Sequence, residues 1–394
     1  MAHKTKVLFY KYKTTEIHVQ LIKVFSKKSG SALIGLLLFL FTLLPSCTRT
    51  NTKAPSLIIN DKPQTFATIS NTLLHKAQLE RDWAYKLPIL GGEEVERIFL
   101  YQKVLYILLT NNTLFSVNPK TGSFNWTNDI AQDHQKASQG YYYKNTLNFI
   151  FGRSFVQIST ITGEILASSF ELNFKVSTPP AVTENTLFVG STDRKMYALR
   201  LNDPKDNGLT KWWNVCRDVP VGTVSATEDE VYFTTRNNTL YASKTQKRSL
   251  LFSKQTFSPL CGVTVVDGQC FMPGESSILY CFDAISGEKQ WLYRCGEILK
   301  TQPIVIKSEV YQEVAHNSLL CLNKLNGEKI WELKKGKALL SLTEKSAYAI
   351  TLDKNITKLN RKTGVNEITF FIDNIDFYTT NTQTSSIFLA STNG

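Results

Sequence analysis

Short apolar runs alternate with polar turns along most of the chain after residue 80. One unit recurs: an apolar pair, a small residue, a polar turn ending in glycine, and an apolar residue, usually Trp, four positions after that glycine. The clearest copies are LFSVNPKTGSFNW at 114–126, LYCFDAISGEKQW at 279–291 and LLCLNKLNGEKIW at 319–331. The turn positions of the seven copies are Gly122, Gly163, Gly208, Arg248, Gly287, Gly327 and Gly364. Their spacing runs from 37 residues (327 to 364) to 45 residues (163 to 208), which indicates a repeat architecture.

The glycine and the Trp of each unit have separate structural reasons. Glycine adopts a positive φ in a hairpin turn without steric cost. An indole buries a large apolar area where one sheet stacks on the next. The Trp residues at this position are Trp126, Trp212, Trp291 and Trp331. We therefore expect these residues to define the repeat rather than to carry chemistry.

The regions around each turn predict an all-β fold. Each unit has a further apolar strand upstream, such as TLFVG at 186–190, and an alternating piece before it, such as PPAVT at 179–183. Four short antiparallel strands in about 40 residues are typical of one propeller blade. The outermost-strand positions predict eight blades: Trp83, Trp126, Ala167, Trp212, Phe252, Trp291, Trp331 and Ile368. The prediction is an eight-bladed β-propeller over 81–394.

The order of strands predicts how the ring closes. The first outer strand lies near Trp83 and the last second strand is SIFLA at 386–390, so we expect the terminal strands to pair and close the ring. The third strand of that last blade is not evident. Leu57–Ile59 could supply it, the blade could have three strands, or the chain could be truncated.

The N-terminal segment 1–46 has the pattern of an export leader. Residues 1–31 hold seven Lys and one Glu, and the apolar run ALIGLLLFLFTLL follows at 32–44. The run is shorter than the roughly 20 residues that span a bilayer. Leu44-Pro45-Ser46-Cys47 resembles the bacterial lipobox, which implies that Cys47 becomes the lipidated first residue of the mature protein. Thr48 after that cysteine implies sorting to the outer membrane, and 47–80 is then a tether.

The leader also changes the meaning of the net charge. The whole chain of 394 residues carries +12, and the leader accounts for 7 − 1 = +6 of it. The mature protein then carries 12 − 6 = +6, which suits an anionic membrane surface and gives no reason to expect nucleic-acid binding.

The repeat, seen in TGSFNW at 121–126, SGEKQW at 286–291 and NGEKIW at 326–331, is similar to the PQQ-type propeller repeat. Eight such repeats behind a lipobox cysteine resemble the propeller lipoprotein family of the outer-membrane β-barrel assembly machinery (the Bam complex). That resemblance implies a non-enzymatic scaffold lipoprotein on the periplasmic face of the outer membrane. Its implied partners are the periplasmic domains of the barrel-inserting subunit and unfolded outer-membrane proteins.

The same resemblance implies a docking surface on loops between early-middle blades. The nearest segments are 171–180 and 214–223. The contact residues it implies are Leu172, Phe174, Lys175, Arg217 and Asp218. Solvated interblade loops with an ordinary scatter of charge are the competing interpretation of the same residues.

Two other functions stay open. The quinoprotein dehydrogenases share the repeat and bind a quinone and Ca²⁺, but they use an adjacent cysteine pair and a cluster of oxygen ligands. This chain has no Cys-Cys pair, and its acids are scattered among turns, so we expect no cofactor, no metal and no catalytic residue. A propeller that binds another protein or a glycan is the second alternative.

Six cysteines follow Cys47. Cys281 and Cys321 stand at the small-residue position of the repeat, where Ser116, Ala198 and Ala242 stand elsewhere, so we expect them in the core. Cys261, Cys270 and Cys295 lie in or near one blade, which leaves a disulfide among them open.

Overall fold

The computed structural model describes residues 8–14, 71–87, 93–132, 135–203, 205–257, 260–372 and 375–391. Nearly all regular structure in these ranges is antiparallel β, arranged in four-stranded sheets. The fold is an all-β propeller, as the repeat predicts. Cys47 and residues 47–70 of the predicted tether lie outside the described residues, as does most of the predicted leader 1–46.

Seven sheets are each built from four consecutive strands, and we call them blades 1 to 7. Blade 1 contains β3 (Val95–Tyr101), β4 (Val104–Leu109), β5 (Thr113–Val117) and β6 (Phe124–Asp129). Blade 2 contains β7 (Tyr141–Tyr143), β8 (Thr146–Phe151), β9 (Ser154–Ser159) and β10 (Phe170–Glu171). Blade 3 contains β11 (Ala181–Thr183), β12 (Thr186–Ser191), β13 (Lys195–Arg200) and β14 (Thr210–Val215). Blade 4 contains β15 (Pro220–Ala226), β16 (Glu230–Thr235), β17 (Thr239–Lys244) and β18 (Leu250–Gln255).

The remaining three blades continue the same order. Blade 5 contains β19 (Thr264–Val266), β20 (Gln269–Gly274), β21 (Ile278–Asp283) and β22 (Lys289–Arg294). Blade 6 contains β23 (Ile304–Ile306), β24 (Glu309–Val314), β25 (Ser318–Asn323) and β26 (Lys329–Lys334). Blade 7 contains β27 (Gly336–Leu342), β28 (Ser346–Thr351), β29 (Asn355–Asn360) and β30 (Asn366–Phe371).

The strands left over come from both ends of the chain and form one more sheet, which we call the closing sheet. Its members are β31 (Phe377–Thr379), β32 (Ser386–Ser391), β1 (Leu8–Thr14) and β2 (Leu79–Lys86), in the order β31-β32-β1-β2. The short helix α1 (Asn71–Lys76) precedes β2. Within the described residues, seven blades form from consecutive strands, not the predicted eight, and strands from both ends of the described chain form the closing sheet. The third strand of the closing sheet is Leu8–Thr14, which lies within the segment 1–46 predicted to be a leader, and the repeat pattern does not predict this source.

The apolar core is divided into clusters between neighbouring sheets. Leu114, Trp126 and Phe149, for example, belong to one cluster that joins blades 1 and 2. Corresponding clusters join each blade to the next, and two more join the closing sheet to blades 7 and 1. Burial at each joint thus holds the ring together, since the apolar faces of a blade have nowhere else to be covered.

A repeated hydrogen bond fixes each Trp against the following sheet. The indole N–H donates to a carbonyl oxygen in the turn between the third and fourth strands of the next blade. The five bonds are Trp83 to Pro119 (3.1 Å), Trp126 to Thr160 (3.0 Å), Trp212 to Thr245 (2.9 Å), Trp291 to Lys324 (2.9 Å) and Trp331 to Arg361 (2.8 Å). Four of these turns contain a repeat glycine, with φ between 70° and 77° at Gly122, Gly163, Gly327 and Gly364. Gly208 (φ 81°) and Gly287 (φ 68°) lie in the corresponding turns of blades 3 and 5.

Blade 2 departs from the sequence expectation at its outer strand. The repeat predicts Ala167 at the Trp position, but the outer strand is only Phe170–Glu171. A Cβ added at Gly208 would lie 2.9 Å from the Phe170 ring, so Phe170 takes the place of the missing Trp against the next turn. An alanine cannot fill the space that the indole fills elsewhere, and the chain continues to the next aromatic residue before it forms the outer strand.

The innermost strand of blade 4 and the segment that leads into blade 5 approach each other through glycine. Gly222 has φ +70°, and an added Cβ would lie 2.0 Å from the carbonyl oxygen of Cys261. A bridge pairs Thr223 with Gly262 in parallel orientation next to this contact. No side chain fits between the two backbones here.

Gly222→Ala is expected to lower the free energy of unfolding by about 2–3 kcal/mol, because it adds both a strained φ and a clash with backbone. Chemical denaturation followed by circular dichroism measures this. Gly268→Ala is the matched control, since Gly268 has φ +74° but nothing within 4 Å of an added Cβ. Equal losses in the two variants would show that the close approach contributes nothing.

Candidate functional site

The two segments predicted to dock a partner are consecutive connections between blades. One joins β10 to β11 and the other joins β14 to β15. The turn between β12 and β13 links them: the backbone N–H of Thr192 donates to the Lys175 carbonyl oxygen (3.0 Å), and that of Cys216 donates to the Arg194 carbonyl oxygen (2.8 Å). The fold therefore brings both segments onto one continuous surface at one end of the blade 3 strands.

We call this region the interblade surface. It consists of Phe174, Lys175, Asp193, Arg194, Lys195, Tyr197, Trp213, Val215, Arg217 and Asp218. Lys175, Arg194 and Arg217 are at the solvent side of this surface, whereas Phe174 and Asp218 are partly buried.

Leu172 does not belong to this surface. Its side chain is 2% exposed and lies in the core cluster between blades 2 and 3. The expectation of a contact through Leu172 is therefore corrected. Leu172 instead packs into the core and holds the start of the β10–β11 connection against blades 2 and 3.

Aromatic side chains form the centre of the surface. The rings of Phe174 and Tyr197 stack with centroids 4.1 Å apart and planes 12° apart. Tyr197 is paired across the sheet with Trp213, so those two side chains lie on the same face. Val215 follows two positions along β14 and is 60% exposed. The result is an apolar strip that crosses blade 3 from the β10–β11 connection to its outer edge.

Sequence reasoning missed Trp213, although a signal was present. Trp212 and Trp213 are adjacent, and successive side chains of a strand point to opposite faces. Trp212 occupies the repeat position and is 6% exposed, so its neighbour has to face outward, where it is 37% exposed. Alternation alone would have identified Trp213 as an exposed aromatic residue.

Cations surround the aromatic strip. The Lys195 ammonium lies 5.1 Å from the Trp213 ring centroid, and the Arg248 guanidinium of the next blade lies 4.9 Å from it. Both distances are within the range of a cation–π interaction. These contacts hold the indole in one orientation, which reduces the conformational entropy that it would lose on binding.

One carboxylate is held ionised among these cations. Asp193 accepts hydrogen bonds from Lys195 (2.9 Å) and from the Tyr197 hydroxyl (2.8 Å). Although partial burial acts to raise it, these hydrogen bonds lower the pKa of Asp193 below its ordinary value. With four cations (Lys175, Arg194, Lys195, Arg217) and two acids (Asp193, Asp218), the interblade surface carries 4 − 2 = +2.

The backbone around Arg217 and Asp218 is fixed by local bonds. The Arg217 N–H donates to the Tyr241 hydroxyl oxygen (3.2 Å), and the Asp218 carboxylate accepts from the N–H of Val219 (2.7 Å). An aromatic strip on rigid strands with a basic rim has the composition of protein–protein hot spots, where Trp, Tyr and Arg dominate. It suits a partner that offers apolar side chains and carboxylates.

The cysteines have the properties of core residues. All six described cysteines are unpaired, so no disulfide joins Cys261, Cys270 or Cys295 in the structure. Burial raises the pKa of Cys281, Cys295 and Cys321 to about 12 and that of Cys261 to about 11. Such thiols remain protonated near neutral pH and are poor nucleophiles.

Two negative findings concern the described residues alone. Among them, no group of three or more His, Cys, Asp or Glu side chains is placed to hold a metal ion. Within the same ranges, no helix combines the length and apolar character needed to cross a bilayer.

Comparison with known proteins extends this picture. Residues 251–368 match the family model described as outer membrane protein assembly factor BamB. The crystal structure of BamB from Moraxella catarrhalis superposes with a TM-score of 0.57 at 14% identity, covering 77% of this chain and 97% of that one. This chain is a PQQ-type propeller that resembles BamB. A computationally designed protein, Ika8, is also similar, with a TM-score of 0.60 at 12% identity over 76% of this chain and 96% of that chain. A search of the curated proteins finds no match.

Proposed function

We propose that this protein is a non-enzymatic scaffold of outer-membrane β-barrel assembly, attached to the outer membrane through lipid on Cys47. The match of residues 251–368 to the BamB family model is the observation that carries the proposal. The superposition with BamB supports the same fold over most of the chain. In this proposal the leader 1–46 is removed, and Cys47 becomes the first residue of the mature protein.

The interblade surface is the docking site in this proposal. Its partner is a periplasmic domain of the barrel-inserting subunit. Phe174, Tyr197 and Trp213 supply the apolar contact, and Lys175 and Arg217 pair with carboxylates at the rim. Rim charges of this kind govern the rate and orientation of association more than its strength.

A Phe174→Ala/Trp213→Ala double variant tests the proposal. We expect it to reduce the amount of barrel-inserting subunit that co-purifies from solubilised outer membranes by about tenfold or more, because aromatic hot spots contribute about 2 kcal/mol or more each. The measurement is quantitative immunoblotting after affinity purification.

Ile285→Ala provides the control. Ile285 is 86% exposed in the β21–β22 turn, at the opposite end of the strands from the interblade connections. This variant should retain the full amount of partner. If the unaltered protein itself recovers no barrel-inserting subunit, the function is wrong; if both variants recover it equally, only the assigned surface is wrong.

A further inference from the structure

A cavity lies where blade 6, blade 7 and the inner strand of the closing sheet meet, toward the same end of the strands as the interblade connections. Its volume is about 220 Å³. This is below the roughly 300–1,000 Å³ of pockets that take drug-sized molecules, so a ligand here has to be small. Much of the wall is apolar, with one carboxylate: the residues are Ile304, Leu319, Ala338, Leu339 and Glu313.

Hydrogen bonds between neighbouring blades hold the cavity walls in place. On the blade 7 side, the Thr380 hydroxyl of the closing sheet donates to the Leu339 carbonyl oxygen (2.7 Å). On the blade 6 side, the Gln302 side-chain amide donates to the Cys261 carbonyl oxygen (3.0 Å). The walls are thus fixed before a ligand enters, which reduces the entropic cost of binding.

Glu313 is a charged residue at a position that the other sheets fill with uncharged ones. It follows Tyr311 by two positions in β24 and pairs with the apolar Leu319 of β25. The residues at the same register position are Leu108, Ile150, Gly190, Thr234, Pro273 and Ile350 in blades 1, 2, 3, 4, 5 and 7, and Ala390 in the closing sheet. All of these are buried. Packing at this position therefore favours an uncharged residue, and a partly buried carboxylate in a cavity indicates a binding role.

The charge of Glu313 is only partly compensated by its surroundings. Burial raises the pKa of the Glu313 carboxyl above its ordinary value. The charge of Lys337, the nearby Thr301 hydroxyl and His316 act to lower this pKa. Because the pKa stays raised, these neighbours do not replace the hydration that the carboxylate loses. A cation bound in the cavity stabilises the ionised carboxylate directly.

A basic side chain lies beside the cavity. Lys337 directly precedes the lining residue Ala338, and its ammonium lies 5.2 Å from the centroid of the Tyr378 ring, which also lines the cavity. Burial and the charge of Glu313 raise the pKa of Tyr378 to about 12, so its phenol stays neutral near neutral pH. The cavity therefore combines one acid, one base, a neutral aromatic ring and apolar walls.

We propose that this cavity binds a free α-amino acid with a branched apolar side chain, such as leucine. The Glu313 carboxylate pairs with the ammonium group of the ligand, and Lys337 pairs with its carboxylate. Ile304, Leu319 and Leu339 contact its side chain. A zwitterion satisfies both charges at once, whereas an amine or a carboxylic acid alone leaves one of them without a partner. The inference is independent of the proposed function, since it concerns another part of the ring.

Calorimetric titration of the purified full chain tests the ligand class. The probes are leucine, isoamylamine, which lacks the carboxylate of leucine, and isocaproate, which lacks its ammonium group. Leucine should bind saturably, and each analogue should bind at least about tenfold more weakly, because it leaves one charged group of the cavity unpaired. The inference is overturned if leucine shows no saturable binding up to about 10 mM, a limit far weaker than specific recognition, or if all three probes bind equally.

Two variants assign the charged contacts. In Glu313→Gln, leucine and isocaproate should bind equally, because the partner of the ammonium group is gone. In Lys337→Met, leucine and isoamylamine should bind equally for the corresponding reason. Glu297→Gln is the matched control, since Glu297 is exposed on the connection between blades 5 and 6, and it should bind leucine as the unaltered chain does. If Glu313→Gln retains the leucine affinity of Glu297→Gln, the assigned site is wrong.

Thermal unfolding separates a binding role of Glu313 from a structural one. Without ligand, Glu313→Gln should melt at a higher temperature than the unaltered chain, because it removes a partly buried charge. Added leucine should raise the melting temperature of the unaltered chain and raise that of Glu313→Gln much less. A lower melting temperature of Glu313→Gln without ligand, together with no effect of leucine on the unaltered chain, would show that Glu313 serves only the fold.

Discussion

Trp331→Ala is expected to lower the free energy of unfolding by about 3–5 kcal/mol, the range for deleting a buried aromatic side chain. Trp331 is 5% exposed at the joint between blades 6 and 7. Trp331 lies against Gly364, since a Cβ added at Gly364 would be 2.3 Å from the Trp331 Cβ. The centroids of the Trp331 and Tyr311 rings are 5.8 Å apart. The Trp331 indole N–H donates to the carbonyl oxygen of Arg361, so the substitution also removes a hydrogen bond to that oxygen.

Trp213→Ala is the matched control for this experiment. It deletes the same side chain from a site that is 37% exposed and that lies outside the core clusters on either side of blade 3. Its effect on the free energy of unfolding should stay within about 1 kcal/mol, since only partial burial and the cation–π contacts are lost. Urea denaturation followed by circular dichroism measures both variants. Equal losses would show that burial at the joint does not stabilise the ring.

The repeat could be predicted because its determinants are local. A glycine with positive φ, a small residue and a Trp four positions later each act within one hairpin, so their spacing appears directly in the sequence. Leu172 was misplaced for the opposite reason. Its burial depends on how blade 2 packs on blade 3, a contact that no local pattern encodes.

The closing sheet shows the same limit at larger scale. The pairing of terminal strands depends on ring closure, and the repeat pattern does not identify the third strand of this sheet. Leu57–Ile59 was one candidate, whereas the structure uses Leu8–Thr14. The seven blades of consecutive strands could be counted from the repeats. The third strand of the closing sheet could not be located in this way, because it pairs with strands that are distant in the sequence, and periodicity does not encode such pairing.

Phe174 and Trp213 illustrate an intermediate case. The resemblance pointed to Phe174, and alternation along β14 could have added Trp213. Neither signal revealed that Tyr197 lies between them and joins both into one strip. That arrangement requires the register between β13 and β14, which only the folded sheet defines.

A buried ion pair at the same joint as Trp331 gives the second large effect. Arg361 donates from Nε (2.8 Å) and Nη2 (2.6 Å) to one carboxylate oxygen of Glu309, and from Nη1 to the Thr343 carbonyl oxygen (2.8 Å). The Tyr311 hydroxyl donates to the same Glu309 oxygen at 2.8 Å. The side chains of Arg361 and Glu309 are only 11% and 14% exposed.

Glu309→Gln is therefore expected to cost about 3–5 kcal/mol of the free energy of unfolding, because it keeps the shape but leaves a buried guanidinium without its counter-ion. Asp353→Asn is the control. This variant breaks the ion pair between Asp353 and Lys335, whose side chains are 55% and 67% exposed, respectively. It should change the free energy of unfolding by less than about 1 kcal/mol.

A third variant separates the origin of the loss. If the cost of Glu309→Gln comes from the unpaired charge, then Glu309→Gln/Arg361→Met should be more stable than Glu309→Gln alone, since the uncompensated charge is gone. If it comes from lost packing, the double variant should be less stable than either single one. Because the Arg361 carbonyl oxygen also accepts the Trp331 indole, the effects of Trp331→Ala and Glu309→Gln should not add. Strict additivity would mean that the ion pair and the indole hold the blade 6–7 joint independently.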